Sequence, residues 1–125
     1  MLGDGKAFSG FSVDDIDVAR QFYSDALGLQ VTDENGMLRL HVGVDRPILV
    51  YPKGDAHVPA EYTILNFPVD DIDAAVAGLT ARGVRFEKYE GTQMETDATG
   101  VFRKGGPLIA WFTDPAGNVM SVIQL

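Results

Sequence analysis

The chain contains no cysteine, which excludes disulfide bonds, a thiolate nucleophile and cysteine-ligated metals. Histidine is also scarce, since only His41 and His57 are present, so imidazole chemistry has two possible sources. No apolar run approaches the roughly 18 residues that a membrane span needs. The first residues, MLGDGKAF, lack the basic and apolar regions of a signal peptide. We therefore expect a cytoplasmic protein with no membrane partner.

Basic residues are fewer than acidic ones in this chain. Lysine and arginine total 10 against 18 aspartates and glutamates, which gives a net charge of −8 over 125 residues. Binding to a nucleic-acid backbone or to an anionic membrane surface calls for a basic face, so we expect neither partner. A negative protein attracts cationic ligands, although the same charge also serves solubility.

A short phrase occurs twice. FSVDDID at 11–17 returns as FPVDDID at 67–73, with one difference in seven residues. Each copy ends a strand-like alternating run and precedes apolar residues at helical spacing. Asp15 and Asp71 therefore fall at helix N-caps, and Asp17 and Asp73 fall in the first turn, where the helix dipole favours negative charge. These acids indicate two helix starts rather than a metal or acid–base site.

The rest of the chain has strand patterns separated by turns. Gly28 and Gly83 are expected to end the two helices, and Asn35–Gly36 predicts a hairpin. Further turns are predicted at 45–47 and 114–118. Strands are predicted at 7–13, 29–32, 37–44 and 48–53 in the first half, and at 62–69, 84–89, 101–106, 107–112 and 119–125 in the second.

These patterns predict an α+β fold of two tandem βαβββ modules, about 1–56 and 57–125. Each half alone is too small for a good core, so we expect the two to pair into a single domain.

Three segments carry a family resemblance: VDDIDVARQFYSDALGL (13–29), VDDIDAAVAGLTARGV (69–84) and IAWFTDPAGNVMSVIQ (109–124). Together they resemble the vicinal oxygen chelate superfamily, which includes glyoxalase I, extradiol dioxygenases, fosfomycin-resistance enzymes and bleomycin-resistance proteins. The resemblance covers essentially the whole chain. It implies two βαβββ modules whose mixed sheets curl around a cleft, in a protein that forms a homodimer.

Metal-dependent members of that superfamily take their ligands from three places, which the resemblance maps onto Phe8, Ile64 and Ser121. A gap of one or two residues would move the second place to Thr63 or Tyr62. None of these is a carboxylate, imidazole or amide ligand of the required kind. Neither histidine falls at one of the three places. We therefore predict no metal and no cofactor.

Strand alternation around these three positions indicates which other side chains line the implied cleft. In strand 48–53 either Leu49 and Tyr51 or Ile48 and Val50 face the cleft, and we adopt the first pair. The expected ligand-binding residues are Phe8, Ser12, Tyr51, Tyr62, Asn66, Trp111 and Ser121. This aromatic and apolar lining suits a flat organic ligand. The alternative is that these residues fill a core between sheets or a dimer interface.

The segment 90–106 contains four glycines and the charged residues Glu95, Asp97, Arg103 and Lys104. It could close over a ligand as a lid, but a solvated connector is the simpler interpretation.

We expect a metal-independent small-molecule-binding protein of the glyoxalase and bleomycin-resistance type. It would hold an apolar or aromatic compound, which can be cationic, and sequester it. The alternative is a lyase or isomerase of the same superfamily, for which Tyr51, Tyr62, His41 and Glu61 are the available acids and bases. A third interpretation is a structural or regulatory dimer with a filled cleft.

Overall fold

A computed structural model describes residues 1–43 and 46–125. The end of the strand predicted at 37–44 and the start of the turn predicted at 45–47 lie outside the described residues. The chain divides into two compact units, Met1–Pro59 and Ala60–Leu125, which are called module one and module two below.

Module one contains one helix and four strands in the order βαβββ. The strands are β1 (Gly10–Val13), β2 (Gln30–Glu34), β3 (Met37–His41) and β4 (Ile48–Pro52), and the helix is α1 (Ile16–Gln21). The helix continues into a wider π-type turn, Phe22–Ala26, and short 3₁₀ turns occur at Leu2–Asp4 and Gly54–Ala56. The sheet order is β1-β4-β3-β2. Strands β1 and β4 are parallel, and the other neighbours are antiparallel.

Module two repeats this order. Its elements are β5 (Thr63–Pro68), α2 (Ile72–Ala81), β6 (Val101–Phe102), β7 (Leu108–Thr113) and β8 (Val119–Gln124). The sheet order is β5-β8-β7-β6, again with a parallel pair formed by the first and last strands. The predicted α+β class is therefore confirmed, with one four-stranded mixed sheet in each module.

Three of the predicted strands differ from the structure, and the first of them, predicted at 7–13, begins only at Gly10. Segment 84–89 forms no strand and makes only a single bridge from Phe86 to Phe112. At that bridge the Glu87 N–H donates to the Trp111 carbonyl at 2.7 Å, and the segment then bonds to the following loop, where the Lys88 carbonyl accepts from the Thr96 N–H at 2.8 Å. Tyr89 has a φ of 48°, which no strand residue adopts. The strand predicted at 101–106 is also shorter and ends at Phe102.

Both repeated phrases start a helix, as predicted. The Asp15 carboxylate accepts hydrogen bonds from the N–H groups of Asp17 and Val18, at 3.0 and 3.2 Å. The Asp71 carboxylate accepts one from the N–H of Ala74 at 3.1 Å. These bonds satisfy N–H groups that have no partner within the helix. The acidic repeat is therefore structural.

The predicted turns at glycine are present. Gly28 and Gly83 have φ values of 70° and 92° just beyond the helical segments. Asn35 and Gly36, with φ values of 53° and 80°, join β2 to β3. Two consecutive positive φ values are the mark of a type I′ hairpin turn, whose twist matches that of the flanking strands.

Each sheet buries the face that packs on its own helix. The fully buried apolar strand residues are Val13, Leu38, Leu40 and Val50 in module one, and Val101, Ala110, Phe112 and Met120 in module two. The opposite face of each sheet is called the helix-distal face below. In the described part of the chain, no helix is both long enough and apolar enough to cross a membrane.

Replacing Asp71 by alanine should lower the free energy of unfolding by about 1 kcal/mol, because the first turn of α2 loses its side-chain acceptor. Urea denaturation of the purified protein measures this loss. Asp70→Ala is the matched control, since Asp70 is an exposed neighbour that is not the cap. Equal destabilisation by both changes would contradict the capping role.

Candidate functional site

The helix-distal face of module one consists of alternate residues on three neighbouring strands. Gly10 of β1 lies beside Leu49 of β4, which in turn lies beside Arg39 of β3. Two residues further along, Ser12 lies beside Tyr51. Ser12 and Tyr51 are therefore brought together on one face, and Leu49 shares that face.

Phe8 precedes β1 and is 58% exposed. The Arg39 guanidinium carbon lies 5.9 Å from the centre of its ring, which is a cation–π distance. Arg39 also forms an ion pair with Glu34, whose hydrogen bond raises the pKa of the guanidinium. The cation is thus held beside the aromatic ring and remains charged at all ordinary pH values.

A hydrogen bond that sequence reasoning missed joins Ser12 to His57. The Ser12 Oγ and the His57 Nδ1 are 2.8 Å apart, and both residues are half-buried. His57 directly follows the 3₁₀ turn Gly54–Ala56. The two residues are 45 positions apart and share no motif, so no local pattern could have predicted the pair.

A second hydroxyl–imidazole pair occurs in the same module. The Thr32 Oγ1 and the His41 Nε2 are 3.0 Å apart, and the bond is exposed. Thr32 lies beside Arg39, and His41 lies two residues further along β3, so both occupy the helix-distal face. Both histidines of the chain are therefore bonded to hydroxyl groups.

The helix-distal face of module two brings together Asn66, Ser121 and Trp111. These residues lie side by side on β5, β8 and β7. The Ser121 hydroxyl is fully buried and donates to the Asn66 side-chain carbonyl at 2.5 Å. The hydroxyl hydrogen of Ser121 is therefore already used within the protein, whereas Asn66 is exposed.

Trp111 is part of an aromatic cluster in module two. Its ring centre lies 5.5 Å from that of Tyr89 and 5.9 Å from that of Phe102, both at steep angles. Burial raises the pKa of the Tyr89 hydroxyl, and the negative charge of Glu87 raises it further. Tyr89 was missed because it lies in a segment that was predicted as an ordinary strand.

The alternation argument does not extend to Tyr62. Strand β5 begins at Thr63, and its register with β8 shifts between Thr63 and Leu65. Thr63, rather than Tyr62, lies opposite Val119, which shares a face with Ser121. Tyr62 lies outside the strand and is 73% exposed. A β-bulge of this kind adds one residue and changes which side chains point to a given face.

Two concavities occur within single modules. One of about 570 Å³ opens beside Phe8 in module one and is lined by Ala7, Phe8, Ser9, Val42, Gly43, Arg46 and Ile48. The other, about 750 Å³, lies between α2 and the segments around 84–88 and 98–99 of module two. Phe8 is the one predicted ligand-binding residue that lines either of these two concavities.

The turn between β7 and β8 holds the start of module two in place. The buried Asp114 carboxylate accepts from the N–H groups of Asn118 and Ala116 at 2.8 and 3.0 Å. The Asn118 side-chain carbonyl accepts from the Ala60 N–H at 3.2 Å. The acid and the amide of the DPAGN turn are therefore structural.

A family model described as Glyoxalase/Bleomycin resistance protein/Dioxygenase superfamily matches residues 8–122. The chain belongs to this superfamily. Among curated proteins, no significant match to the chain is found.

Solved structures of the superfamily resemble the whole chain. The antibiotic binding protein TnmS3 from Streptomyces sp. CB03234 is 26% identical, with 96% of each chain covered and a TM-score of 0.66. A glyoxalase family protein from Enterococcus faecalis is 19% identical over 98% of this chain and 99% of its own, with a TM-score of 0.70. The fosfomycin resistance protein FosX from Mesorhizobium loti is 12% identical over 98% and 92%, with a TM-score of 0.67. The last two likenesses show the fold alone.

The metal site of the metal-dependent superfamily members does not fit the residues present here. Phe8 and Ile64 have no donor atom, and the buried Ser121 offers one neutral hydroxyl that is bonded to Asn66. Within 1–43 and 46–125, no three histidine, aspartate or glutamate side chains come close enough together to hold a metal ion. We derive no chemical step that passes through a metal.

The segment 90–106 is ordered by its own hydrogen bonds. One oxygen of the Asp97 carboxylate accepts from the N–H groups of Thr99, Gly100 and Val101, at 2.9, 3.0 and 3.0 Å. The other oxygen accepts from the Arg103 Nε at 2.8 Å. A Cβ added at Gly100, whose φ is 103°, would lie 2.6 Å from the Phe86 Cβ. The segment is thus packed against 84–89, as a connector would be.

Asp97 should stabilise the protein in a pH-dependent way. Partial burial opposes ionisation of the Asp97 carboxyl and raises its pKa. Hydrogen bonds from Arg103, Thr99 and Val101 outweigh this effect and hold the pKa well below the usual range. A group whose pKa falls on folding contributes stability above its unfolded pKa, about 3.9 for aspartate, and this contribution is lost on acidification.

We therefore expect Asp97→Asn to lower the free energy of unfolding by about 1 kcal/mol at pH 7, a figure discounted for solvent screening. The difference from wild type should shrink as the pH falls below about 4. Urea titrations at several pH values measure this difference in the free energy of unfolding. Asp70→Asn is the control, because Asp70 is exposed. A difference that does not change with pH would contradict the role of the charge.

Proposed function

We propose that this protein binds an apolar or aromatic small molecule, which can be cationic, and sequesters it without a metal ion. The observation that carries the proposal is the presence of aromatic side chains together with neutral hydrogen-bonding side chains on each helix-distal face. In module one these side chains are Phe8, Ser12 and Tyr51, and in module two they are Asn66, Trp111 and Ser121, of which Trp111 and Ser121 are buried. Aromatic surface with a few hydrogen-bonding groups is typical of sites for flat organic ligands.

Two further observations support sequestration rather than catalysis. The side chains at the superfamily's metal positions offer no suitable ligand set, so the chemistry that depends on such a metal has no counterpart here. A relative of similar length, TnmS3, is an antibiotic binding protein.

The net charge of −8 favours neutral or cationic ligands over anionic ones.

We also propose that the chain forms a homodimer, as the superfamily resemblance implies. Size-exclusion chromatography with light scattering should give about twice the chain mass of 13.5 kDa at micromolar concentration. A mass that stays at that of one chain at all concentrations tested would exclude the dimer.

Trp111 provides a direct assay of ligand binding, because it is the single tryptophan of the chain. Bleomycin and a panel of planar aromatic antibiotics should include compounds that quench its fluorescence. When the free concentration of such a compound is a hundred times its Kd, binding should add about 2.7 kcal/mol to the free energy of unfolding and so raise the melting temperature. Chelation by EDTA should leave the binding unchanged.

In a thermal-shift titration with the same compounds, Tyr51→Ala should weaken binding about tenfold through loss of an aromatic contact. Val18→Ala is the control, because Val18 is 45% exposed on α1, the helix that packs on the opposite face of that sheet. A complete absence of quenching and thermal stabilisation would overturn the proposal. Conversion of a compound into a product would instead favour the lyase or isomerase alternative.

A further inference from the structure

The larger of the two concavities lies beside α2, the helix that packs on the face of the sheet opposite to Trp111. Its volume is about 750 Å³. One wall is the part of α2 from Asp73 to Ala81, and the other wall consists of residues in 84–88 and 98–99. This concavity is called the α2 groove below.

The interior of the α2 groove is mainly apolar. Val76 and Val84 are buried in it, with 4% and 3% of their surfaces exposed. Ala77, Ala81 and the half-buried Phe86 also line it. The α2 wall spans eight residue steps, or about 12 Å, which is roughly the length of an extended ten-carbon chain. The groove therefore has room for an apolar group of that length.

Positive charge exceeds negative charge around the α2 groove. Asp73 lines it but forms an ion pair with Arg103, which also pairs with Asp97. Arg85 and Lys88 line it as well. Three cations thus face two carboxylates. Among the described residues of module two, Arg85 has no acidic partner, because the ion pairs there belong to Arg103 and Lys104.

The two lining cations can both bind a carboxylate. Arg85 is exposed, and a planar guanidinium offers a carboxylate two parallel hydrogen bonds. The Lys88 ammonium donates to the Ala98 carbonyl, and its other hydrogens are left for a further acceptor. The net charge of −8 opposes an anion only weakly at physiological ionic strength, because exposed charges are screened beyond about 8 Å. The local cations therefore decide the charge of the ligand.

We propose that the α2 groove binds a monocarboxylate with an unbranched apolar chain of about eight to ten carbons, which matches the length of its α2 wall. The carboxylate pairs with Arg85 and Lys88, and the chain lies against Val76 and Val84. This is a second site. It goes beyond the aromatic site proposed above, from which it differs in position and in the charge of its ligand.

Titration with octanoate, followed by ¹H–¹⁵N NMR of the labelled protein, tests the site. The backbone N–H signals of Ala77, Ala81, Ala98 and Thr99 should shift until the site is saturated. The indole N–H signal of Trp111 should not move, because its ring lies on the helix-distal face. The neutral analogue 1-octanol should bind about 3- to 10-fold more weakly, the effect of losing one net hydrogen bond.

Charge is tested with Arg85→Gln, which keeps a polar side chain without the positive charge. This change should weaken octanoate binding about 3- to 10-fold and leave 1-octanol binding unchanged. Arg82→Gln is the matched control, because Arg82 is an exposed arginine at the end of α2 that does not line the groove. It should leave both ligands unaffected.

The apolar part of the groove is tested with Ala77→Leu. The larger side chain should occupy the space and weaken octanoate and 1-octanol alike. Ala74→Leu is the control, since Ala74 is exposed on the same helix and outside the groove. Leucine retains high helix propensity at both positions. The NMR spectrum of each variant without ligand verifies that it is folded.

An absence of shifts in the groove signals at millimolar octanoate would overturn the inference. So would equal affinity for octanoate and 1-octanol, equal weakening by Arg85→Gln and Arg82→Gln, or unchanged binding by Ala77→Leu. Shifts confined to the Trp111 indole and its helix-distal neighbours would overturn it too, since the ligand would then occupy the aromatic site. Quenching of Trp111 by planar compounds is measured separately, so failure of either site is distinguishable from failure of the other.

Discussion

Parallel pairing of the first and last strand in each module is the constraint on which the other features depend. Parallel neighbours cannot be joined by a tight turn, so the chain must leave β1, cross over and return through two further strands before β4 can pair with it. The crossover begins with the helix, which covers one face of the sheet. The helix-distal face is the face that this helix leaves uncovered. The register of the parallel pair determines which residues lie side by side on it.

That register explains how sequence-distant residues form the candidate site. Ser12 meets Tyr51 across the β1–β4 pair, and Asn66 meets Ser121 across β5–β8. The repeated acidic motif has a related structural role. Asp15 and Asp71 start the crossover helices immediately after the first strand of each module, which ends each strand at a defined point. The acids therefore contribute to the geometry of the site without taking part in its chemistry.

Alternation along regular strands predicted much of each helix-distal face. It placed Ser12 with Tyr51 and Asn66 with Ser121, because both pairs lie in regular stretches of strand. It failed at Tyr62, where the bulge in β5 breaks the period of two. It also missed Tyr89, since the segment 84–89 turns into the following loop instead of forming a strand. Residue patterns do not show which of several nearby acceptors each N–H group in that loop bonds to.

Residue patterns alone predicted the class of fold, the helix starts and the hairpin turn, because these depend on residues that are close together in the chain, and the repeated motif predicted the two modules. The family resemblance further implied that the superfamily's metal positions fall at Phe8, at Ile64 or one or two residues before it, and at Ser121. The contact of His57 with Ser12, and those of Tyr89 and Phe102 with Trp111, became known from the folded chain and not from any residue pattern. Those contacts join residues from separate segments, and their distances depend on how loops pack on a sheet edge, which no local pattern encodes.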